Sequence, residues 1–438
     1  KIIPFKMKIL KLSFALLSIW KAQSFVTNFN VHTGLKIPEI SLKSSASNSQ
    51  PDFRWTNPKI SNVCDETGVT LSRYMMEMAK ANPELSEVES IISSVQTACK
   101  TISNLVRRSS LRGITGMDPS GSINVQGEEQ KKLDVITNNV LKRALQYTGK
   151  LATIASEEEN SPVMLDNRGN AVYSNDVLLE QEGKYVAVFD PLDGSSNVDA
   201  GIPTGTIFGI FESPEECLVD LDIEDMDMAA KQCLSNTLQP GTQLVAAGYC
   251  LYSSSTTIVI TLGNGVNGFT LDESIGEFIL THPSIQIPNR GKIYSFNESN
   301  RLDWDEPLVQ YINALQSGKS DSGSRYSSRY IGSMVGDVHR TLLYGGIFGY
   351  PADKKNPDGK LRLLYEAAPM AFLVEQAGGM ALTGKNRIMD LHPKSVHQRV
   401  PCILGSRDDV SELQRYYDDL SDEEIAQRCA SRMSSELG

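Results

Sequence analysis

The 438-residue chain predicts an α/β fold made of two α/β subdomains, and three observations carry that expectation. Helical periodicity opens the folded part. A wholly apolar strand at 185–189 then runs directly into the polar decapeptide DPLDGSSNVD (190–199), and from about Ile285 a second alternation of strands and helices begins. At the usual ~100 to 200 residues per domain, two or three units are expected. The boundaries read as a targeting presequence at 1–50, an N-terminal α/β domain at 51–284, a C-terminal one at 285–418, and a polar, acidic tail at 419–438.

The first fifty residues read as an address. Met7 is followed by basic Lys8 and Lys11, a mostly apolar run at 12–20, and Ala22-Gln23-Ser24-Phe25, the layout of a secretory signal peptide and too short for a spanning helix. The stretch after Phe25 carries Lys and Ser with a single acid, Glu39, as transit peptides do. Together they resemble the bipartite presequence of algae with secondary plastids, so the plastid stroma is the expected location; a plain secretory or disordered leader is the alternative.

In the first domain, helices are expected at 67–81 and 84–108, with Ser86 as a cap before Ile91, Ile92, Val95, Ile102 and Leu105. A Gly-rich polar loop (120–129) precedes a third helix at 130–146. Short strands follow at 151–155, 185–189 and 206–211; 212–240 is irregular and acid-rich, and 243–252, 256–262 and 268–271 read as strands around a Gly263-Asn264-Gly265 turn. The second domain reads as strand 292–296, helices 307–315 and 335–343, strand 345–350 and helix 367–377.

Composition narrows the function. Forty per cent hydrophobic and 22% charged residues is ordinary for a soluble protein, and no apolar run is long enough to cross a bilayer. A net charge of −11 argues against nucleic acid and anionic membranes as partners, and lets a polyanionic substrate in only where cations receive it. Seven scattered cysteines without a CxxC argue against a zinc site and a disulfide-stapled fold, and the five histidines lack metal-ligand spacing.

The decapeptide concentrates the chemistry. Asp190 and Asp193 leave the strand facing one point; Pro191 removes a backbone donor and restricts φ, so the Leu192 carbonyl can turn inward as a third oxygen. The amides of Gly194, Ser195 and Ser196 can cradle a phosphate. Hard oxygen ligands beside anion-binding amides point to Mg²⁺-assisted phosphate chemistry, with an Asp-rich surface turn as the alternative for this motif alone. Glu157-Glu158, Asp134 and Glu366 also stand where elements begin or end, which points to convergence on a metal cluster.

Longer motifs add a resemblance. NVQGEEQKKLDV (124–135), SEE (156–158), GKYVAVFDPLDGSSNVDA (183–200), LQPGTQLVAAGY (238–249), KIYSFNES (292–299), RYIGSMVGDVHRTLLYGGIFGYP (329–351), GKLRLLYEAAPMAFLVEQAGGMA (359–381) and VHQRVP (396–401) resemble the class I fructose-1,6-bisphosphatases of the inositol-monophosphatase-like superfamily. The resemblance implies a layered α/β/α/β/α sandwich, a homotetramer, and hydrolysis of the 1-phosphate of D-fructose 1,6-bisphosphate. It makes Glu157, Asp190, the Leu192 carbonyl, Asp193 and Glu366, with Glu158 beside them, the holders of two or three Mg²⁺. Asp134 and Glu158 would flank the attacking water, and Glu128 would be the acid of a catalytic loop at 124–130. Asn297, Tyr330 and Tyr350 would hold the distal phosphate with Arg329 of a neighbouring subunit, while Lys360 and Arg362 meet the sugar and its phosphate. Asn300 stands where many relatives have a further tyrosine.

Regulation departs from the AMP-inhibited relatives. Lys184-Tyr185 is retained, but Glu212 falls where they carry a phosphate-binding arginine, so weak or absent AMP inhibition is expected. The segment 212–240 instead resembles the redox insertion of plastid enzymes, with Cys217 and Cys233 as a reducible pair facing thioredoxin and Leu238 in place of a third cysteine. The implied setting is the Calvin cycle or gluconeogenesis. The rival readings are a sedoheptulose-1,7-bisphosphatase and a catalytically idle phosphosugar sensor.

Overall fold

Helices lead the folded chain, as the periodicity predicts. Helix α1 (Leu71–Ala81) begins where the Thr70 hydroxyl accepts the Arg73 N–H at 3.1 Å. Helix α2 (Ser86–Arg107) enters through a 3₁₀ turn at Pro83–Leu85, so Ser86 is its first residue and not its cap. A short α3 (Ser109–Arg112) and α4 (Lys132–Gln146) follow. The computed structural model describes residues 55–58, 68–116, 131–159, 162–164, 183–213 and 236–418. The presequence, the loop acid Glu128, the pair Cys217 and Cys233, and the tail all lie outside the described residues.

Eight strands form the first sheet: β1 (Leu151–Ser156), β2 (Val163–Met164), β3 (Tyr185–Asp193), β4 (Thr204–Glu212), β5 (Leu244–Tyr252), β6 (Thr256–Thr261), β7 (Val266–Asp272) and β8 (Glu277–His282). Their order is β2-β1-β3-β4-β5-β6-β7-β8, with β1 and β3 parallel and the other pairs antiparallel. The apolar run of β3 is explained by burial on both faces. Tyr185, Ala187 and Phe189 join the core under α1, α2 and α4, whereas Val186 and Val188 face a second core on the opposite side.

That second core is filled by helices from the C-terminal half. After β9 (Ile293–Ser295), α5 (Glu306–Ser317) and β10 (Ser327–Ser328) come α6 (Met334–Tyr344), β11 (Ile347–Tyr350), β12 (Leu361–Arg362), α7 (Ala368–Gln376), β13 (Met380–Leu382), β14 (Arg399–Val400), β15 (Cys402–Gly405) and α8 (Arg407–Asp418). A five-stranded sheet runs β10-β9-β11-β15-β13, and β12 pairs with β14. Val335, Val338 and Leu342 of α6 and Met370, Ala371 and Val374 of α7 share one core with Val188 and Ala247 of the first sheet and Phe348 and Leu404 of the second. The outer face is covered by Leu308 and Ile312 of α5 with Val410 and Leu413 of α8. The result is helix, sheet, helix, sheet, helix, the expected layered sandwich. Among the described residues no helix is long and apolar enough to cross a membrane.

One irregularity decides the site. The decapeptide is not a loop that follows the strand, because β3 continues to Asp193. Asp190 pairs with Ile207 and Asp193 with Gly205, so Pro191 and Leu192 oppose the single residue Thr206 in a β-bulge. Proline is tolerated in a central strand only at such a place. The Thr206 hydroxyl donates to the Pro191 carbonyl at 2.8 Å and meets the Tyr252 hydroxyl at 2.7 Å, which fixes the bulge.

Candidate active site

The bulge brings its acids to a third segment. Asp190, Asp193 and Glu366 each offer an oxygen within 4.8 Å of the others. Glu366 lies in a π-helical turn, Leu363–Ala367, that leads into α7, and not at the head of a regular helix. Each acid is held by backbone: Asp190 accepts the Leu192 N–H at 2.9 Å, Asp193 the Val335 N–H at 3.2 Å, and Glu366 the Arg362 N–H at 2.5 Å. Glu157, just past β1, joins them through Arg362, whose guanidinium stands 2.5 Å from Glu157 and 3.6 Å from Glu366. Arg362, with 5% of its surface exposed, is thus buried among these acids as their counter-charge and lines the same pocket as Lys360.

The electrostatics follow from crowding. Burial raises Glu157, Asp193 and Glu366 to about 7 and pushes Asp190 well above the usual carboxylate range. Neighbouring acids add to the rise, while Arg362 opposes it at Glu157, Asp193 and Glu366. Packed carboxylates in excess of the cations around them are a donor set that fits divalent, oxygen-seeking metal ions. Leu192 lines the same pocket.

On one flank stand the acids expected at the water. Asp134, in the first turn of α4, accepts the Lys131 N–H at 2.9 Å and the Ser195 hydroxyl at 3.3 Å, which ties the helix to the Gly194-Ser195-Ser196 turn. Glu158 follows Glu157, and its N–H donates to the Ser156 hydroxyl at 3.3 Å, which in turn donates to Asn138 at 2.8 Å. A link that sequence reasoning missed closes the back of this flank. His397 donates from Nε2 to the Glu159 carbonyl at 2.9 Å, so its Nδ1 accepts the Tyr365 hydroxyl at 2.7 Å. Residues next to Glu158 and Glu366 are thereby joined.

On the other flank, Tyr350 and Lys360 line the pocket with Gly332, a residue absent from the sequence expectations. The Tyr330 hydroxyl donates to that of Tyr350 at 3.0 Å, and the Lys360 ammonium lies 5.7 Å from the Tyr350 ring centre. Asn297, Arg329 and Tyr330 do not themselves line this pocket. The Asn297 side chain caps a 3₁₀ turn by accepting the Ser299 N–H at 3.2 Å, and Arg329 is exposed. Asn300 reaches Asp353 at 3.4 Å. Thus thirteen expected residues share one pocket: Asp134, Glu157 and Glu158; Asp190, Leu192 and Asp193; Gly194, Ser195 and Ser196; Tyr350, Lys360, Arg362 and Glu366. The described cysteines Cys99, Cys250 and Cys402 are buried and free.

Comparison with known proteins agrees with this arrangement. The model of the fructose-1,6-bisphosphatase N-terminal domain matches residues 69–283, and that of the C-terminal domain matches 287–418. The chloroplastic fructose-1,6-bisphosphatase of Spinacia oleracea is 49% identical over 350 residues, covering 79% of this chain and 81% of the relative. A cytosolic fructose-1,6-bisphosphatase from Oryza coarctata is 48% identical, covering 80% and 94%. The crystal structure of Leishmania major fructose-1,6-bisphosphatase in holo form superposes with a TM-score of 0.71 at 41% identity, over 80% of this chain and 99% of that one. With both domain models matched in sequence order over residues 69–283 and 287–418, this chain belongs to the fructose-1,6-bisphosphatase family.

Proposed function

We infer that the protein hydrolyses the 1-phosphate of D-fructose 1,6-bisphosphate, giving fructose 6-phosphate and inorganic phosphate. The observation that carries this reading is the meeting of Asp190, Asp193 and Glu366 within 4.8 Å, in the same pocket as Asp134, Glu158 and Lys360. Glu157, Asp190, Leu192, Asp193 and Glu366, with Glu158 adjacent, would hold two or three Mg²⁺. When bound, Mg²⁺ supplies positive charge to the phosphoryl oxygens and acidifies a nearby water. Asp134 and Glu158 orient that water and accept its proton as its oxygen bonds to phosphorus. The ester bond to the sugar oxygen breaks in line, and that oxygen must gain a proton, for which Glu128 on the loop 124–130 is our candidate. The amides of Gly194, Ser195 and Ser196 and the Lys360 ammonium hold the phosphate and sugar. Tyr350, Tyr330 and Asn297 receive the distal phosphate, with Arg329 contributed by a neighbour in a homotetramer. Arg362 balances the charge of the acids beside it.

Phosphate release from the six-carbon and seven-carbon bisphosphates, with and without Mg²⁺, tests this directly. Faster Mg²⁺-dependent release from the fructose ester is expected. Preference for sedoheptulose 1,7-bisphosphate would replace the substrate assignment, and no release from either would leave a phosphosugar sensor.

We also propose plastid residence in the Calvin cycle or gluconeogenesis, and redox control through thioredoxin acting on Cys217 and Cys233. In support, several relatives nearly half identical to the chain are chloroplastic, and both cysteines lie in an acid-rich insertion. In addition, Glu212 forms an ion pair of 2.7 Å with Lys184, which neutralises the lysine that AMP-binding relatives offer to the nucleotide phosphate. Cys233→Ser should abolish any gain of activity on dithiol treatment; a variant that still responds like the wild type would place the switch at other cysteines.

A further inference from the structure

We propose that Asp337 is the positioning residue of the distal phosphate pocket, a single buried carboxylate that sets the segment 329–332 and through it the grip on the bisphosphate. This rests on the reading that Tyr330, Tyr350 and Asn297 receive that phosphate. Asp337 has no exposed surface and does not line the pocket. Four groups donate to its carboxylate. Its Oδ1 accepts the Ser295 hydroxyl at 2.7 Å and the Arg340 guanidinium at 2.6 Å; its Oδ2 accepts the Ile331 N–H at 3.0 Å and the Gly332 N–H at 3.2 Å.

These donors come from the segments that carry the expected ligands. Ser295 ends β9, two residues before Asn297, and Ile331 and Gly332 directly follow Tyr330. The same Arg340 nitrogen also donates to the Arg329 carbonyl at 2.8 Å, which fixes the segment from its other end. Gly332 turns with φ +81°, a conformation that favours glycine, and its carbonyl accepts the Asn197 amide at 2.9 Å from the turn after Asp193. The backbone between Arg329 and Gly332 is thus held on both sides of Tyr330, whose hydroxyl reaches Tyr350. A buried charge is tolerated when a cation and several hydrogen bonds satisfy it, and here they do. An amide could not replace it, because in either orientation its NH₂ would face a donor.

The test is steady-state kinetics on the full-length enzyme carrying Asp337→Asn. The Michaelis constant for fructose 1,6-bisphosphate and the inhibition constant for fructose 6-phosphate, which both carry the distal phosphate, should rise together by about tenfold, with kcat and half-saturating Mg²⁺ within about twofold. Unchanged constants in a folded variant would overturn the proposal. So would equal losses in kcat and Mg²⁺ response, which mark a general disturbance. Should Asp337→Asn fail to fold, Ser295→Ala and Arg340→Gln each remove one donor and should raise the Michaelis constant roughly two- to threefold; no rise in either also overturns it. Tyr330→Phe is the control. A raised constant there with none in the Asp337 series leaves the pocket standing and sinks Asp337, whereas no effect in any variant sinks both.

Discussion

At the acidic end of the pocket, carboxylates from the turn after β1, from β3 and from the π-helical turn gather near Arg362, and burial drives their pKa values up. On the side proposed for the distal phosphate one buried carboxylate is satisfied within the protein: Asp337 accepts from Ser295, Ile331, Gly332 and Arg340, and the Tyr330 hydroxyl reaches that of Tyr350. The first region is a donor set that fits cations, because its carboxylates outnumber the positive charges beside them. The second is complete without any ligand, because its hydrogen bonds close within the protein. The contrast teaches how one pocket separates its tasks. One end gathers carboxylates that would hold cations, while the other is held in place by hydrogen bonds within the protein.

The largest effect that bears on this contrast is expected from Asp193→Ala. Removing one ligand should cost several kcal/mol of transition-state stabilisation, leaving less than about a tenth of wild-type phosphate release at saturating Mg²⁺ with an unchanged circular dichroism spectrum. The same variant should be no less stable than wild type when both are stripped of metal, since one repelling charge has gone. Activity above that level would break the metal assignment.

A smaller effect comes from pH and metal removal. Glu157 and Glu366 rise from 4.5 to about 7, and Asp193 from 3.8 to about 7, so the folded protein holds these protons more tightly than the unfolded chain. Their contribution to stability is complete below about pH 4 and is lost as pH rises through about 7, a difference on the order of a few kcal/mol. EDTA-treated protein should therefore melt lower at pH 8 than at pH 5.5, and Mg²⁺ should raise the melting temperature more at pH 8. Equal melting temperatures at the two pH values without metal, or a pH dependence as steep in Asp193→Ala, would count against the acid cluster as its origin.

The smallest effects should lie at the distal end. Tyr350→Phe and Lys360→Ala should each raise the Michaelis constant for the bisphosphate by roughly three- to tenfold while leaving half-saturating Mg²⁺ unmoved. If the Mg²⁺ response moved instead, the two ends would not be separable in the way the geometry indicates.

Much of this was legible in the sequence because local patterns carry it. The run at 185–189 reads as a buried strand because it is wholly apolar, and the clustered acids read as candidate ligands because several carboxylates at element ends point to convergence on a cation. What the sequence could not determine was direction and pairing. That β3 continues through the proline depends on Thr206 of the neighbouring strand accepting a bulge, a matter of register. The resemblance implies that Arg362 meets the sugar with Lys360, and both line the pocket, but only the packed fold shows the guanidinium pairing with Glu157 and Glu366. Ser86 has the composition of a cap, but the turn before it sets the helix start one residue early. Asp337 and His397 gave no signal, since each acts by joining segments distant in the chain. By itself the sequence determined which residues carry charge, where most strands and helices form, and which acids could serve as oxygen ligands, because these follow from side-chain chemistry and periodicity. Only the tertiary structure decided which charges meet and which backbone groups hold them, because hydrogen bonds and ion pairs act over a few ångströms that sequence distance does not measure.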